Sequence, residues 1–432
     1  MAFAPLEGIR VVDFSWNVAG PTSTKVLAAL GADVAKVEWP LRRDPGRAFS
    51  FSPVTPGAFD SSGFFADLNM GKRSFTVDPK SSEGLRLLER MISVSDLVVE
   101  SYSARVLPSW GLGWERLQEL NPGVVYLSVS GFGHTGPHAS YVSYGPTAQA
   151  ASGITAASGE PGQAPAGWGY SFLDVMTGYQ AAFSVVAALQ RRRSTGVGAR
   201  IDLSQLETGA ALLGPLLEHP PVIGESFPPG NRSTVRGAPG YRYEKGAPYG
   251  VYPTRRTDAG DHDAFIAITV QNDVQWRAFA QLIDDPVLNE QRWAHLELRI
   301  REQDELDTIV SSWTAREEKF ALADLLQMHG IPAAAMENGR DRLVADPALS
   351  ARQVFQEVDH PFVGRHRMSS IPVVVNGAPL PVRRVWPTLG THTDELLGEW
   401  LGLDAKEIEQ LRDEGVTWPA AEATVQPTGG AA

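Results

Sequence analysis

The sequence predicts an α/β protein: a doubly wound parallel sheet followed by a smaller α+β unit. Three observations carry this. Short apolar runs alternate with stretches of helical length through the first half of the chain. The alternation fails between Glu218 and Tyr249, a stretch rich in Pro, Gly and Arg (FPPGNRSTVRGAPGYRY). A strand–turn–strand pattern then opens a segment of different rhythm.

In chain order, Ile9–Phe14 is a compact apolar run of the kind that forms a buried strand. A loop containing Gly-Pro, Ser15–Pro21, leads to a helix over Thr22–Leu30 that Gly31 closes, glycine being suited to the left-handed residue after a helix. Val34–Val37 is a second strand. Glu83–Ser93 reads as a helix, Leu97–Glu100 as a strand, Trp114–Leu120 as a helix and Val124–Val129 as a strand. After the irregular stretch, Tyr249–Pro253 and Phe265–Val270 pair around the polar turn RRTDAGDHD. Helices over Asp273–Ile283 and Arg316–His329 complete the smaller unit. Beyond Asp346 strand-like and loop segments return, then a helix over Asp404–Asp413 and a small, polar tail expected to be flexible.

The composition bounds the function. With 43% hydrophobic and 20% charged residues among 432, the chain reads as an ordinary soluble globular protein. A net charge of -12 argues against nucleic acid as a partner, but local basic clusters can still hold a polyanionic small ligand. The absence of cysteine removes disulfides, thiol catalysis and thiolate metal sites, and fits a reducing compartment. The opening MAFAPLEGIRVVDF lacks a basic stretch followed by an apolar one, and the apolar segment around Ala181–Leu189 is short for a bilayer span. The expectation is a cytoplasmic protein with no membrane partner.

If the chain does covalent chemistry, a carboxylate is the expected nucleophile, and Asp174 in AGWGYSFLDVMTGYQAAFSVVAAL is the best placed. An aspartate before an apolar helix is also a common N-cap, and the two readings are compatible, because a helix N-terminus favours the ionised carboxylate that attacks a carbonyl. Trp168 and Tyr170 just before it suggest an apolar acyl pocket, or simply pack the loop. The first strand–helix turn, FSWNVAGPTSTK, lacks GxGxxG, yet helix-terminal amides there can meet a phosphate. Lys72 and Arg73 in LNMGKRS, with Arg42, Arg43 and Arg47 upstream, either sit solvated or serve a phosphate-rich ligand. In LSVSGFGHTGP the amides from Gly131 through Gly133 to Gly136 can hold an oxyanion, and His134 can donate a hydrogen bond. GFGHTG matches the dinucleotide fingerprint by letter but opens no helix. Asp261, His262 and Asp263 fall in a hairpin turn without a partner cluster, so no metal is expected.

Taken together, LEGIRVVDFS…AGP, GADVAKVE, LNMGKRS, LVVESY, LSVSGFGHTGP, FLDVMTGYQAAFSVVAAL, GARIDLSQLE, APYGVYPT and LGTHTDELL resemble the class III coenzyme A transferases, the formyl-CoA and carnitine CoA-transferase family. The resemblance spans roughly residues 5–415. It implies a Rossmann-like large domain built from both chain ends, with a small domain inserted, in interlocked dimers. The corresponding segments would be 1–215 and 336–420 for the large domain, 216–245 as a linker, 246–335 for the small domain and 421–432 as the tail. It implies a homodimer, a heteromer being the other arrangement, and no cofactor beyond CoA as substrate. Asp174 takes the nucleophile's position, exchanging CoA through a mixed anhydride and an aspartyl-CoA thioester. Lys72 and Arg73 match a basic Asn-Lys-Arg-Ser element, and Val18 and Ala19 an adenine-side loop. Trp16 stands where formyl-CoA transferase has histidine, and Trp39 where it has arginine. Ser101 and Tyr102 match an Asn-Phe pair that contacts CoA, with Arg105 beside them. The α-methylacyl-CoA racemases share the fold and the aspartate but add a histidine, where this chain has Tyr144; that departure favours transfer over racemisation.

Overall fold

Six parallel strands form the central sheet: β1 (Arg10–Asp13), β2 (Asp33–Glu38), β3 (Arg73–Thr76), β4 (Leu97–Glu100), β5 (Val125–Ser130) and β6 (Ala199–Ser204). Their spatial order is β3-β2-β1-β4-β5-β6, with every neighbouring pair parallel. The chain therefore winds outward from β1 to β3, then returns to β4 and winds the other way. Ligand crevices of such sheets open at the carboxyl ends of the two strands where the order reverses, here β1 and β4. The computed structural model describes residues 3–48, 59–158, 164–167, 169, 171–214, 246–257, 262–361 and 363–418.

The central strands are buried on both faces, so their residues are largely apolar and alternate ones enter different cores. Val12, Val98 and Tyr126 pack with α3 (Ser82–Ser93) and α5 (Trp114–Leu120) on one face. Val11, Val99 and Leu127 pack with α1 (Ala19–Ala29) and α7 (Phe172–Thr195) on the other. Between these lie α2 (Gly63–Asn69), α4 (Val106–Ser109) and α6 (Gly145–Ala151), and α8 (Gln205–Leu212) follows β6. In α3, Leu87, Leu88, Met91 and Ile92 are buried, and the Ser81 hydroxyl accepts from the Gly84 N–H at 2.9 Å to cap the helix.

Four elements depart from expectation. Helix α1 begins at Ala19 rather than Thr22. Pro21 is compatible with a first turn because the N–H it lacks would have had no partner within the helix. Helix α7 runs for 24 residues, so the apolar stretch read at Ala181–Leu189 is only its middle. By length and composition α7 passes for a membrane span. Its Ala181, Ala182, Val185 and Leu189 nevertheless pack into the sheet's core, as expected of a helix layered on a sheet. Finally, β3 and β6 are strands that periodicity did not mark.

The chain divides into two units, Met1–Ser152 with Gly169–Leu212 and Ala348–Ala432, and Gly153–Trp168 with Leu213–Pro347. The second contains the antiparallel sheet β7 (Tyr249–Pro253), β8 (Phe265–Thr269) and β9 (Ala333–Ala335). Its core gathers Trp276, Phe279, Trp293, Leu306, Val310 and Leu326. Asn272 caps the helix Asp273–Ile283 by accepting from Val274 and Gln275 N–H groups, both at 3.0 Å. The helix read at Arg316–His329 spans Lys319–Met328, starting where Glu318 caps it. The expected linker 216–245 and the tail 421–432 lie outside the described residues.

In the first unit the C-terminal segment returns to the sheet edge at β3. Helix Thr393–Leu401 contributes Leu396, Leu397 and Trp400 to the α3 face. Beyond helix Ala405–Asp413, the Thr76 hydroxyl donates to the Trp418 carbonyl at 2.8 Å, and the Asp78 N–H to that of Val416 at 2.9 Å.

Candidate active site

Asp174 is the third residue of α7, not its cap. The capping position falls to Ser171, whose backbone is left-handed (φ 45°) and whose side chain makes no capping bond. The carboxylate points inward and is only 9% exposed. Its Oδ1 accepts a hydrogen bond from the Gln205 side-chain amide, Nε2, at 2.6 Å. Burial raises the Asp174 pKa from its ordinary value, and the Gln205 bond and the residue's own N–H oppose that rise. Opposite Gln205 stands Gly145, the first residue of α6. A Cβ at Gly145 would lie 2.0 Å from Asp174 Oδ2, so only glycine leaves the carboxylate its place.

The glycine loop after β5 reaches the same place. The Gly131 carbonyl accepts from the Leu206 N–H at 2.9 Å and the Ser204 hydroxyl at 3.4 Å, pinning the loop to the start of α8. A Cβ at Gly131 would strike the Ser143 hydroxyl at 1.7 Å. Further along, Asp202 of β6 accepts from the His134 N–H at 2.8 Å and the Thr135 hydroxyl at 3.2 Å. The structure gives the His134 ring a different task from the expected carbonyl donor. Its Nε2 lies 3.3 Å from the Tyr102 carbonyl and 3.4 Å from Glu100 Oε1, buried, and burial lowers its pKa. Glu100 is itself buried, which pushes its carboxyl up to about 8. Its oxygens accept from the Tyr102 N–H at 2.7 Å and the Tyr126 hydroxyl at 3.0 Å. His134 thus braces the glycine loop against β4.

At the switch point, the loops after β1 and β4 are joined by Ser101, whose hydroxyl accepts from the Trp16 N–H at 2.8 Å and donates to the Trp16 carbonyl at 3.2 Å. Trp16 and Tyr102 meet edge to face at 5.2 Å. With Phe14, Trp39, Val77 and Trp110 they line an apolar cavity of about 120 Å³. Trp16 Nε1 is buried there with no acceptor among the described residues. A larger hollow adjoins it, bordered by Trp16, Arg42, Arg43 and Arg47. Val18 caps α1 and Ala19 begins it, while Arg105 stands exposed before α4.

The two cations expected to hold a ligand are committed elsewhere. Lys72 is fully buried, and its ammonium donates to Asn69 Oδ1 at 2.8 Å, the Pro21 carbonyl at 3.1 Å and Asp13 Oδ2 at 3.2 Å. Those three bonds exhaust its donors. Arg73 pairs with Asp33 and reaches Glu395 at 2.9 Å and Glu399 at 2.7 Å, fastening β3 to the helix Thr393–Leu401. Arg47 is likewise buried, on Glu38, Asp60 and the Pro387 carbonyl. Beside Arg47, exposed Arg42 and half-buried Arg43 also border the hollow. Trp168, Tyr170 and Asp261 lie outside the described residues. Gln205 is the site residue that sequence reasoning passed over, although it stands in the GARIDLSQLE stretch, directly after a strand end.

Fold and site together define a doubly wound α/β protein with an aromatic crevice at its switch point and a buried, amide-held carboxylate on a helix start. CoA-transferase family III matches residues 6–393. The succinyl-CoA–D-citramalate CoA-transferase of Chloroflexus aurantiacus is 30% identical over 94% of this chain and 97% of its own. The formyl-CoA:oxalate CoA-transferase of Streptomyces avermitilis is 30% identical over 95% and 99%. A CaiB/BaiF family protein from Brucella suis superposes with a TM-score of 0.79 at 28% identity, over 92% of this chain and 99% of that one. The chain belongs to CoA-transferase family III and is a CoA-transferase. The racemase alternative is not favoured, since these relatives are named as transferases.

Proposed function

We propose that the protein moves coenzyme A from an acyl-CoA to a free carboxylic acid, with Asp174 as covalent carrier. The observation that carries this reading is the Asp174 carboxylate, buried at a helix start with one oxygen held by Gln205 and the other beside Gly145. A carboxylate so placed has little hydration to shed and a fixed line of attack. Asp174 attacks the donor thioester carbonyl, giving a mixed anhydride and CoA thiolate. The thiolate attacks the Asp174 carbonyl and releases the donor acid, leaving an aspartyl-CoA thioester. The acceptor acid then runs the two steps in reverse. Every step exchanges one nucleophile for another at a carbonyl, so protons and electrons balance without a redox partner.

The switch-point crevice supports a CoA site. Aromatic walls at Trp16, Trp39 and Tyr102 suit an adenine, and the amides opening α1 together with Arg42 and Arg43 suit phosphates. Lys72 acts by holding that crevice's framework, through Asp13 at the end of β1 and the Pro21 carbonyl. A homodimer goes with this reading: Tyr179, Phe183 and Val186 stand exposed on one side of α7, Phe183 at 75%, and a second subunit would cover them. Sedimentation of the purified chain tests that. The relatives' names suggest succinyl-CoA and formyl-CoA as donors to try first. Mass spectrometry should find CoA on the peptide bearing Asp174, and Asp174→Ala should lose transfer while still binding CoA. Appreciable transfer by Asp174→Ala would sink the proposal.

A further inference from the structure

We infer that Gln205 is a catalytic residue, the oxyanion donor for every attack on the Asp174 carbonyl. This rests on the reading of Asp174 as carrier, and assigns a role within it.

The two carboxylate oxygens are not equivalent. Oδ1 receives the Gln205 amide at 2.6 Å, and Oδ2 faces Gly145, where the absent Cβ leaves space. The asymmetry assigns Oδ2 to bond formation and Oδ1 to charge. When Oδ2 attacks the donor, it becomes the bridging oxygen of the anhydride and Oδ1 the aspartyl carbonyl oxygen. The CoA thiolate then bonds to Cγ, and the carbonyl electron pair moves onto Oδ1. That pair returns as the Cγ–Oδ2 bond breaks, and the donor acid leaves with Oδ2. The acceptor carboxylate later attacks the same Cγ, expels the thiolate and loads Oδ1 with charge again. At each of these moments the negative charge develops where Gln205 Nε2 already points.

A carboxamide fits the task better than a cation. It donates to an oxyanion without neutralising the free carboxylate, which must remain a nucleophile in the resting state. It also carries no charge to relocate as Asp174 passes between anion, anhydride and thioester. The amide is rigidly placed. Gln205 is buried, and its own helix α8 is tied to α7 by the Thr208 hydroxyl, which donates to Gln180 Oε1 at 2.9 Å. The next residue's N–H holds the Gly131 carbonyl, so donor and glycine loop move as one piece. Oxyanion donors supplied by a single side chain are worth about 10²–10³ in rate.

The experiment compares wild type with Gln205→Met, similar in volume but without a donor, and with Gln205→Glu. Each protein is mixed with succinyl-CoA or formyl-CoA, whichever labels wild-type Asp174 faster. Rapid quench and mass spectrometry give the rates at which the Asp174–CoA thioester forms and decays. Infrared difference spectra with ¹³C-aspartate give its carbonyl stretch. The expected result is a thioester that forms and decays about 10²-fold more slowly in Gln205→Met, with unchanged CoA affinity. Its carbonyl band should move to higher frequency, because a hydrogen bond has been lost; packing changes alone would not move it so. Gln205→Glu should regain rate as pH falls and its carboxyl acquires a proton to donate. Wild-type rates in Gln205→Met, or an unshifted band, would overturn the assignment. Labelled wild type beside such a variant leaves the Asp174 reading intact, whereas failure of wild type to label overturns both.

Discussion

Replacing Gly145 with alanine should separate catalysis from stability. The added Cβ would sit 2.0 Å from Asp174 Oδ2 and 3.1 Å from its Cγ. Ordinary contact begins near 3.4 Å, so the approach to Oδ2 is about 1.4 Å too short. Backbone at Gly145 is held as the first turn of α6, so the carboxylate yields. It swings away from the methyl and off the Gln205 amide. Misplacing a reacting group by about 1 Å costs on the order of 10² in rate, equivalent to about 2.7 kcal/mol of barrier. Folding should hardly change, since alanine is the better helix former by up to about 1 kcal/mol and offsets the lost Gln205 bond. The assay is steady-state transfer from succinyl-CoA alongside thermal unfolding. A kcat near 1% of wild type with a nearly unchanged Tm is expected. Wild-type kcat would show that Oδ2 need not occupy the position described, and would refute the geometric argument.

Other outcomes can be checked in the same way. Glu100 has a folded pKa raised from 4.5 to about 8 by burial, so the native state holds a proton that the unfolded chain gives up earlier. Stability should therefore be greatest below about pH 4.5 on this account and fall as pH rises towards about 8, and urea titrations of Glu100→Gln should lose that slope. Arg73→Ala should cost about 1–2 kcal/mol of unfolding free energy, allowing for screening of its half-exposed acidic partners. It should leave CoA affinity unchanged in calorimetry; a large loss of affinity would restore Arg73 to the ligand site.

The central strands were legible because strands buried on both faces are mostly apolar; β1, β4 and β5 read this way, and so does β2 despite its buried Lys36. The edge strands β3 (RSFT) and β6 (ARIDLS) were not, because an edge position tolerates polar residues that blur the pattern. Asp174 stood out by position, as a carboxylate entering an apolar helix. Its partner Gln205 lies 31 residues on, at the end of a different strand, and only the sheet's winding brings them together. Lys72 and Arg73 misled for the same reason. Nothing near LNMGKRS announces that Asp13, 59 residues before Lys72, and Glu395, 322 residues after Arg73, take up their charges. Sequence shows which groups can bind a phosphate, not which have already found a counter-ion.

The return of the C-terminal segment to β3 sets a timetable for the newborn chain. Thr76 finds the Trp418 carbonyl 342 residues later, and Arg73 waits 322 residues for Glu395. The entropy of closing so long a loop grows only logarithmically, so the finished contact is not expensive. It is late, however. During synthesis the edge at β3 lacks this cover until nearly the whole chain has been made, with the intervening unit already emerged. An exposed strand edge invites pairing with other chains, so this edge is where a stalled or truncated product would be expected to aggregate.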